Sequence, residues 1–175
     1  NLNLHNTKIT GVGLDILATL PQLDDLHVAA TPLSADDFQR LRKFPRLKTL
    51  WIGRHSTSID ASLIYIAELN QLESLDISYA VLTDQGLKNF GGLANLKFLS
   101  LANLSQGSAL TPAGLAHLRS FPKLDSLRFL VVPIGDEHVA SLTDIRSLQK
   151  VHLDRTQVTA AGVAALRKAL PLCRI

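Results

Sequence analysis

The sequence has 175 residues, of which 46% are hydrophobic and only 5% aromatic, and it carries a formal net charge of +3 with a pI near 9.2. This length suffices for one domain with a sizeable core. The mild charge argues against a nucleic-acid-binding protein, whose basic residues would gather on one face. No apolar run approaches the roughly 20 residues of a membrane-spanning helix. The only cysteine is Cys173, so an internal disulfide is excluded.

A repeated pattern runs through the whole chain. Each unit opens with the letters LxxLxL or a close variant, and the units are 24 to 28 residues long. A partial unit of residues 1–22 precedes full units that start at Leu23, Leu47, Leu72, Leu96, Leu124 and Leu148. Repeats of this length indicate stacked units, because one such unit cannot bury its own hydrophobic face.

Each unit predicts a short strand followed by a helix. The triplets "LHV", "LWI" and "LDI" alternate apolar and other residues, as in a strand with one buried face. A residue suited to capping a helix N-terminus follows in most units, namely Thr10, Ser34, Asp60, Thr83, Thr111 and Thr159. Ser34 with Asp37 resembles a capping box. We expect the helices to run for about 10 residues.

These features resemble the leucine-rich repeat family, whose repeat begins L-x-x-L-x-L-x-x-N. The resemblance covers essentially the whole chain, and units such as "TQVTAAGVAAL" are similar to those of bacterial leucine-rich repeat proteins. The ninth position departs from the family pattern, since it holds Thr7, Thr31, Ala80, Leu104, Val132 and Thr156. The family's asparagine ladder is therefore expected to be absent or replaced by a partial threonine ladder.

The resemblance implies an α/β fold, a right-handed curved leucine-rich repeat solenoid with a parallel sheet on the concave face and helices on the convex face. We expect residues 1–175 to form a single leucine-rich repeat domain, with a C-terminal cap at about residues 170–175. Cys173 is interpreted as a small core residue of this cap rather than as a reactive thiol. Because the chain starts in the middle of a repeat and lacks Met, we expect further residues or a capping segment upstream.

Recognition in such folds resides on the exposed strip of the sheet. The third, fifth, seventh and eighth positions of each unit are predicted to point out of it. From these positions we select the candidate ligand-binding residues Trp51, Tyr79, Phe98, Arg54, Asp76, Arg128, His27, Asn103, His152 and Arg155. Aromatic and Arg side chains dominate binding hot spots. The alternative is that the aromatic side chains only cover neighbouring strands.

The unit that starts at Leu96 is longer than its neighbours, and its extra residues fall within "LANLSQGSALT". In the next unit Leu130 and Val131 occupy places that are usually polar. Either residues 104–109 fold over this apolar pair as a satellite core, or the pair forms an open patch for a partner.

Catalytic patterns are not found in the sequence. The six histidines, His55 among them, show no HExxH or similar metal-ligand spacing, although His5 and His27 are candidates to approach across adjacent strands. Ser100 and His152 are expected roughly 10 Å apart, too far for a nucleophile and its base. We therefore expect no enzyme activity, no metal and no cofactor.

The resulting hypothesis is a non-catalytic scaffold that binds a protein or peptide on its concave sheet surface. Two alternatives stay open: a recognition or spacer domain of a larger enzyme or signalling protein, and a carbohydrate-binding surface module. Nucleic acid is not expected as a partner, and neither is a membrane span. The compartment is undetermined, with a secreted or cell-surface location favoured over the cytoplasm.

Overall fold

A computed structural model describes residues 1–54 and 58–175 of the chain. Within these residues the sheet has seven strands, all parallel and all in chain order. They are β1 (Leu2–Asn3), β2 (Asp25–His27), β3 (Thr49–Gly53), β4 (Ser74–Ser78), β5 (Phe98–Ala102), β6 (Ser126–Leu130) and β7 (Lys150–Asp154). The stack is a right-handed curved solenoid with the sheet on its concave face and the helices on its convex face.

The strand register places equivalent residues of successive units beside each other. One inward-facing row, Leu26, Leu50, Leu75, Leu99 and Leu127, is in register across five strands and has no exposed surface. Such rows of buried leucine, isoleucine and phenylalanine form one continuous core between the sheet and the helices. The alternating pattern in each "LxL" triplet therefore specifies which face of the strand is buried.

Helices connect the strands on the opposite side. The α-helices are α1 (Gly11–Leu17), α2 (Asp60–Ile66), α3 (Asp84–Asn89), α4 (Pro112–Leu115), α5 (Asp136–Thr143) and α6 (Ala160–Ala169). Residues Ala35–Lys43 and Ala116–Ser120 form 3₁₀ helices. The expected length of about 10 residues is confirmed for α6, whereas α1, α2 and α3 are shorter, with six or seven residues. The helix α4 continues directly into the 3₁₀ helix Ala116–Ser120.

Most of the predicted helix caps are confirmed. Ser34 and Asp37 form the capping box, and the side chains of Thr83, Thr111 and Thr159 accept bonds from the first turns of their helices. Thr10 stands at the N-cap without a side-chain bond.

The prediction that Asp60 caps the N-terminus of α2 is wrong. It is the first residue of that helix, and Ile59 holds the cap position. The Asp60 carboxylate instead accepts bonds from the hydroxyl (2.6 Å) and the backbone N–H (3.1 Å) of Thr83, in the next unit.

This link between units recurs along the convex side. Asp84 accepts bonds from the hydroxyl (2.5 Å) and the N–H (2.8 Å) of Thr111, and Asp136 accepts them from Thr159 at 2.6 and 2.8 Å. Gly114 lies beside the first of these carboxylates, and a Cβ atom there would overlap Asp84. The repeated threonine therefore has two roles: its hydroxyl caps its own helix and donates to the aspartate of the preceding unit. The repeated glycine leaves room for that aspartate.

The ninth-position threonines do not form a ladder. The hydroxyls of Thr7, Thr31 and Thr156 donate to the carbonyl oxygens of Leu4, Val28 and Leu153, each three residues earlier in the same unit. They stabilise the turn after their own strand rather than join neighbouring units.

The inserted segment folds onto the unit before it, so the satellite-core interpretation is wrong. Ser105 N–H donates to the carbonyl of Ala80, Ala109 N–H donates to that of Leu82, and Thr83 bridges with Ala109. Val131 stays 39% exposed.

At the C-terminal end, the backbone of Arg174 forms a parallel β-bridge with that of Lys150 in β7. Cys173 is buried, and this burial raises the pKa of its thiol above the ordinary value. Both features fit the interpretation of Cys173 as a core residue. No helix among the described residues is long and apolar enough to span a bilayer.

Candidate ligand-binding face

The fifth position of each unit forms a continuous row across the concave sheet. Each member is the in-register partner of the next, at a strand spacing of about 4.8 Å. The full units contribute His27, Trp51, Asp76, Ser100, Arg128 and His152 to this fifth-position row. The register thus brings together five of the ten predicted site residues. In the partial first unit, Asn3 is the residue in register with His27. The expected approach of His5 to His27 across adjacent strands is therefore wrong.

Trp51 stands on the concave face with 46% of its surface exposed. His27 stacks on it from the adjacent strand, with ring centroids 4.3 Å apart and ring planes 8° from parallel. His27 Nε2 in turn lies 3.0 Å from an Asp25 carboxylate oxygen, although the two atoms do not meet hydrogen-bond geometry. The indole is therefore half-exposed and is stacked on its neighbour with one ring face.

Asp76 follows Trp51 in the row and is only 7% exposed. Its carboxylate accepts a hydrogen bond from the hydroxyl of Ser78, two residues along the same strand. No Lys, Arg or His among the described residues forms an ion pair with it, and a buried charge without a partner is uncommon in folded proteins.

Ser100, the next residue of the row, was not selected as a site residue from the sequence. Its side chain is fully buried, and its hydroxyl oxygen has no hydrogen-bond partner among the described residues. Its outward position and its place between Asp76 and Arg128 were visible in the repeat alignment. The lack of a partner for its hydroxyl depends on the three-dimensional arrangement of the described side chains around it.

The eighth-position residues form a second row, at the rim rather than on the sheet. The prediction that they point out of the strands is wrong in this respect, because each strand ends at or before the preceding residue. All of them adopt the left-handed backbone conformation, with φ between 48° and 58°: Asn6, Ala30, Arg54, Tyr79, Asn103, Val131 and Arg155. Their N–H groups still continue the ladder, as Tyr79 N–H does to the carbonyl of Ala102.

This eighth-position row holds four of the predicted site residues. Arg54 and Tyr79 interact with each other, because the guanidinium carbon lies 5.6 Å from the centre of the tyrosine ring. Tyr79 is 51% exposed, Arg155 is exposed, and Asn103 is half-buried.

Phe98, the remaining predicted residue, lies at a third position and is half-buried. It is in register with Ser74 and Ser126. Among the described residues neither Phe98 nor Tyr79 makes a ring contact with Trp51, so the three aromatic side chains do not form one cluster. One cross-strand ring contact is formed on this face by described residues, that of Trp51 with His27.

The densest basic stretch, residues 40–48, is largely matched by nearby acceptors. Arg40 and Lys43 pair with Asp15, and Lys48 pairs with Glu73, which also binds Lys97. These bonds hold the pKa values of Asp15 and Glu73 below their ordinary range. Much of the positive charge is thus compensated locally. The absence of nucleic-acid binding stays a prediction.

Among the residues that the structure describes, no three His, Cys, Asp or Glu side chains meet as metal ligands would. His55 lies outside these residues. Ser100 has Asp76 and Arg128 as neighbours in register, and His152 lies one strand further. A hydroxyl two strand spacings from the imidazole is beyond hydrogen-bond reach of it.

Comparison with known proteins bears on the fold. No protein-family model and no curated protein sequence matches the chain. Its structure is similar to that of a leucine-rich repeat protein of Leptospira interrogans, with a TM-score of 0.59 and 21% identity over 99% of this chain. This chain spans 42% of that protein. An internalin of Listeria monocytogenes aligns with 94% of this chain and 70% of its own, at 14% identity and a TM-score of 0.34.

The likeness to the Leptospira protein agrees with what the chain itself displays. Units of the LxxLxL type form parallel strands in chain order, and helices return the chain on the other side. The predicted fold is confirmed: this chain is a leucine-rich repeat-like protein, an α/β solenoid.

Proposed function

We propose that the protein is a non-catalytic scaffold that binds an extended segment of another protein on its concave sheet, at the fifth-position row. Leucine-rich repeat-like folds are repeat scaffolds generally used for binding. The observation that carries the proposal is the indole of Trp51, the only tryptophan of the chain, which is half-exposed on a strand and fixed by the His27 stack. A rigid aromatic side chain loses little entropy on binding and commonly anchors an interface.

The eighth-position row supplies the border of this surface. Arg54, Tyr79, Asn103 and Arg155 project from the turns at the ends of the strands. Polar and charged side chains around a buried aromatic anchor are the usual anatomy of a protein interface. Val131, which is 39% exposed, adds an apolar side chain to this border, and together with the half-buried Leu130 it remains an open patch in this proposal.

The test uses random 12-residue peptides displayed on phage and selected on the immobilised protein. Selected peptides should bind the Trp51→Ala variant at least about 10-fold more weakly, since the anchor is lost. The matched control is Ile64→Ala, which removes an exposed apolar side chain from α2 on the helix side. Circular dichroism melts establish that both variants are folded. Peptides that bind wild type and Trp51→Ala equally would contradict the proposal.

A carbohydrate ligand is the second candidate, because Trp51 and Tyr79 both present exposed ring surface that a sugar could stack on. A glycan array probed with the wild-type protein and with Trp51→Ala distinguishes it from a peptide ligand. The chain as the recognition part of a longer protein is compatible with either ligand.

A further inference from the structure

The fifth-position row changes in side-chain size along its length. His27, Trp51 and Arg128 are large, whereas Asp76 and Ser100 are small, and the small pair lies between Trp51 and Arg128. At about 4.8 Å for each strand, the interval from β3 to β6 is roughly 14 Å. The side chains of the row therefore become shorter at Asp76, directly beside the indole of Trp51. We call this low part of the row, from Asp76 to Ser100, the step.

The orientation of the indole defines one wall of this step. His27 covers the ring face that is turned toward β2, since the two rings are nearly parallel and their centroids are 4.3 Å apart, close to the strand spacing. The other face of the same ring is consequently turned toward β4, where Asp76 is the residue in register. The free indole face and the carboxylate border the same space.

The two residues of the step, Asp76 and Ser100, offer oxygen atoms that can accept hydrogen bonds. Asp76 carries a buried carboxylate, which accepts a hydrogen bond from a neutral hydroxyl, that of Ser78. Ser100, one strand further, has a fully buried hydroxyl that finds no hydrogen-bond partner within residues 1–54 and 58–175. A group that brings positive charge and several N–H donors would satisfy both.

We propose, building on the function proposed above, that this step between Trp51 and Ser100 binds the guanidinium group of an arginine side chain in the partner polypeptide. The planar cation stacks on the free face of Trp51 and donates to the Asp76 carboxylate, which keeps a small exposed surface. It then donates to the Ser100 hydroxyl after the side chains that cover this hydroxyl shift on binding. A guanidinium combines a flat face with five donors, whereas an ammonium offers neither the face nor the fork. Stacking on an aromatic ring adds a cation–π attraction.

The experiment starts from peptides selected on wild-type protein and lost on Trp51→Ala. Those peptides should share an arginine, and replacing it by citrulline, its neutral isostere, should weaken binding at least about 30-fold in fluorescence polarisation. Asp76→Asn should cause a similar loss while keeping an acceptor for Ser78. Replacement of the peptide arginine by lysine should weaken binding by about 10-fold, and Ser100→Ala by about 5-fold.

The control variant is Asp144→Asn, which makes the same chemical change at an exposed aspartate, the C-cap residue directly after α5. It should leave affinity unchanged, and thermal melts of all variants report folding separately from binding.

Four results would overturn the inference, and the first three of them leave the proposed function standing. Peptides that depend on Trp51 but lack a shared basic residue, or that bind Asp76→Asn as tightly as wild type, refute the arginine site and leave the peptide-binding function standing. Equal affinity of the protein for the arginine peptide and for its lysine variant would show that the site does not select a guanidinium group. If no selected peptide depends on Trp51, both proposals fail.

Discussion

The imidazole of His27 lies parallel to the indole of Trp51, with their centroids 4.3 Å apart. The two residues belong to neighbouring strands and are directly in register. A stack of this kind contributes to stability and also fixes the ring that we propose as the anchor of the binding face. It therefore connects the sheet register with recognition.

Removal of the imidazole should loosen the anchor. In the His27→Ala variant we expect the free energy of unfolding to fall by about 0.5–1.5 kcal/mol, the usual contribution of an aromatic pair. Acrylamide should also quench Trp51 fluorescence more strongly, since one ring face becomes free. His152→Ala, at the far end of the same row, is the control and should leave the quenching unchanged. Unaltered quenching in His27→Ala would show that the stack does not hold the indole.

The close fit of Gly114 to the Asp84 carboxylate gives a test of the link between units. Gly114→Ala introduces a Cβ atom into that carboxylate and should lower the free energy of unfolding by about 1–3 kcal/mol, as overpacking does. Gly91→Ala is the control, because its nearest neighbour would lie 3.7 Å away, in ordinary contact. Chemical denaturation measures both. If Gly114→Ala proves as stable as Gly91→Ala, the aspartate is not held as described.

The Asp136 carboxylate makes stability depend on pH. The hydroxyl and then the backbone N–H of Thr159 donate to it, and they hold the pKa of Asp136 below its ordinary value. Because the folded state favours the charged form, this contribution is complete above the unfolded pKa of about 3.9. It is lost as the pH falls through the lower pKa of the folded state.

We therefore expect Asp136→Asn to melt at a lower temperature than wild type at pH 7, with a difference that narrows as the pH falls below about 4. Melting curves recorded across this range check the prediction. Asp144→Asn, at an exposed carboxylate, should follow the wild-type curve throughout. A gap between Asp136→Asn and wild type that stays constant down to the lowest pH would contradict this account.

Val131 holds the least favourable backbone of the eighth-position row. Its φ of 54° is left-handed, and a β-branched side chain rarely adopts this conformation. Val131→Gly should raise the free energy of unfolding by about 1 kcal/mol, because glycine takes this conformation without strain. Val12→Gly, at an exposed valine inside α1, should lower it instead. If Val131→Gly is less stable than wild type, the valine side chain stabilises the folded state by more than its left-handed backbone conformation destabilises it.

The period and alternation of the sequence were enough to predict the strands, their parallel order and the buried leucine rows. They were enough because every unit repeats the same pattern, so that one register satisfies all units. The helix caps at Ser34, Thr83, Thr111 and Thr159 were predictable for a local reason, since a cap bonds within its own turn.

The features that the sequence did not predict depend on contacts between units. Asp60 has the composition of a cap, but it bonds to Thr83 of the following unit, which local reasoning cannot detect. The insertion after β5 folds back onto Ala80 rather than forward onto Val131. Ser100 differs from the outward serines Ser74 and Ser126 in its complete burial, and its hydroxyl has no partner in the part of the chain that the structure describes.

The central claim is that recognition occurs on the fifth-position row, and chemical-shift mapping tests it most directly. Wild-type protein labelled with ¹⁵N would be titrated with the tightest selected peptide. We predict that the largest shifts fall on the Trp51 indole N–H and on the backbone amides of Asp76, Ser100 and Arg128, while the amides of α3 and α5 move little. Shifts concentrated on those helices, with the Trp51 indole signal unmoved, would contradict it.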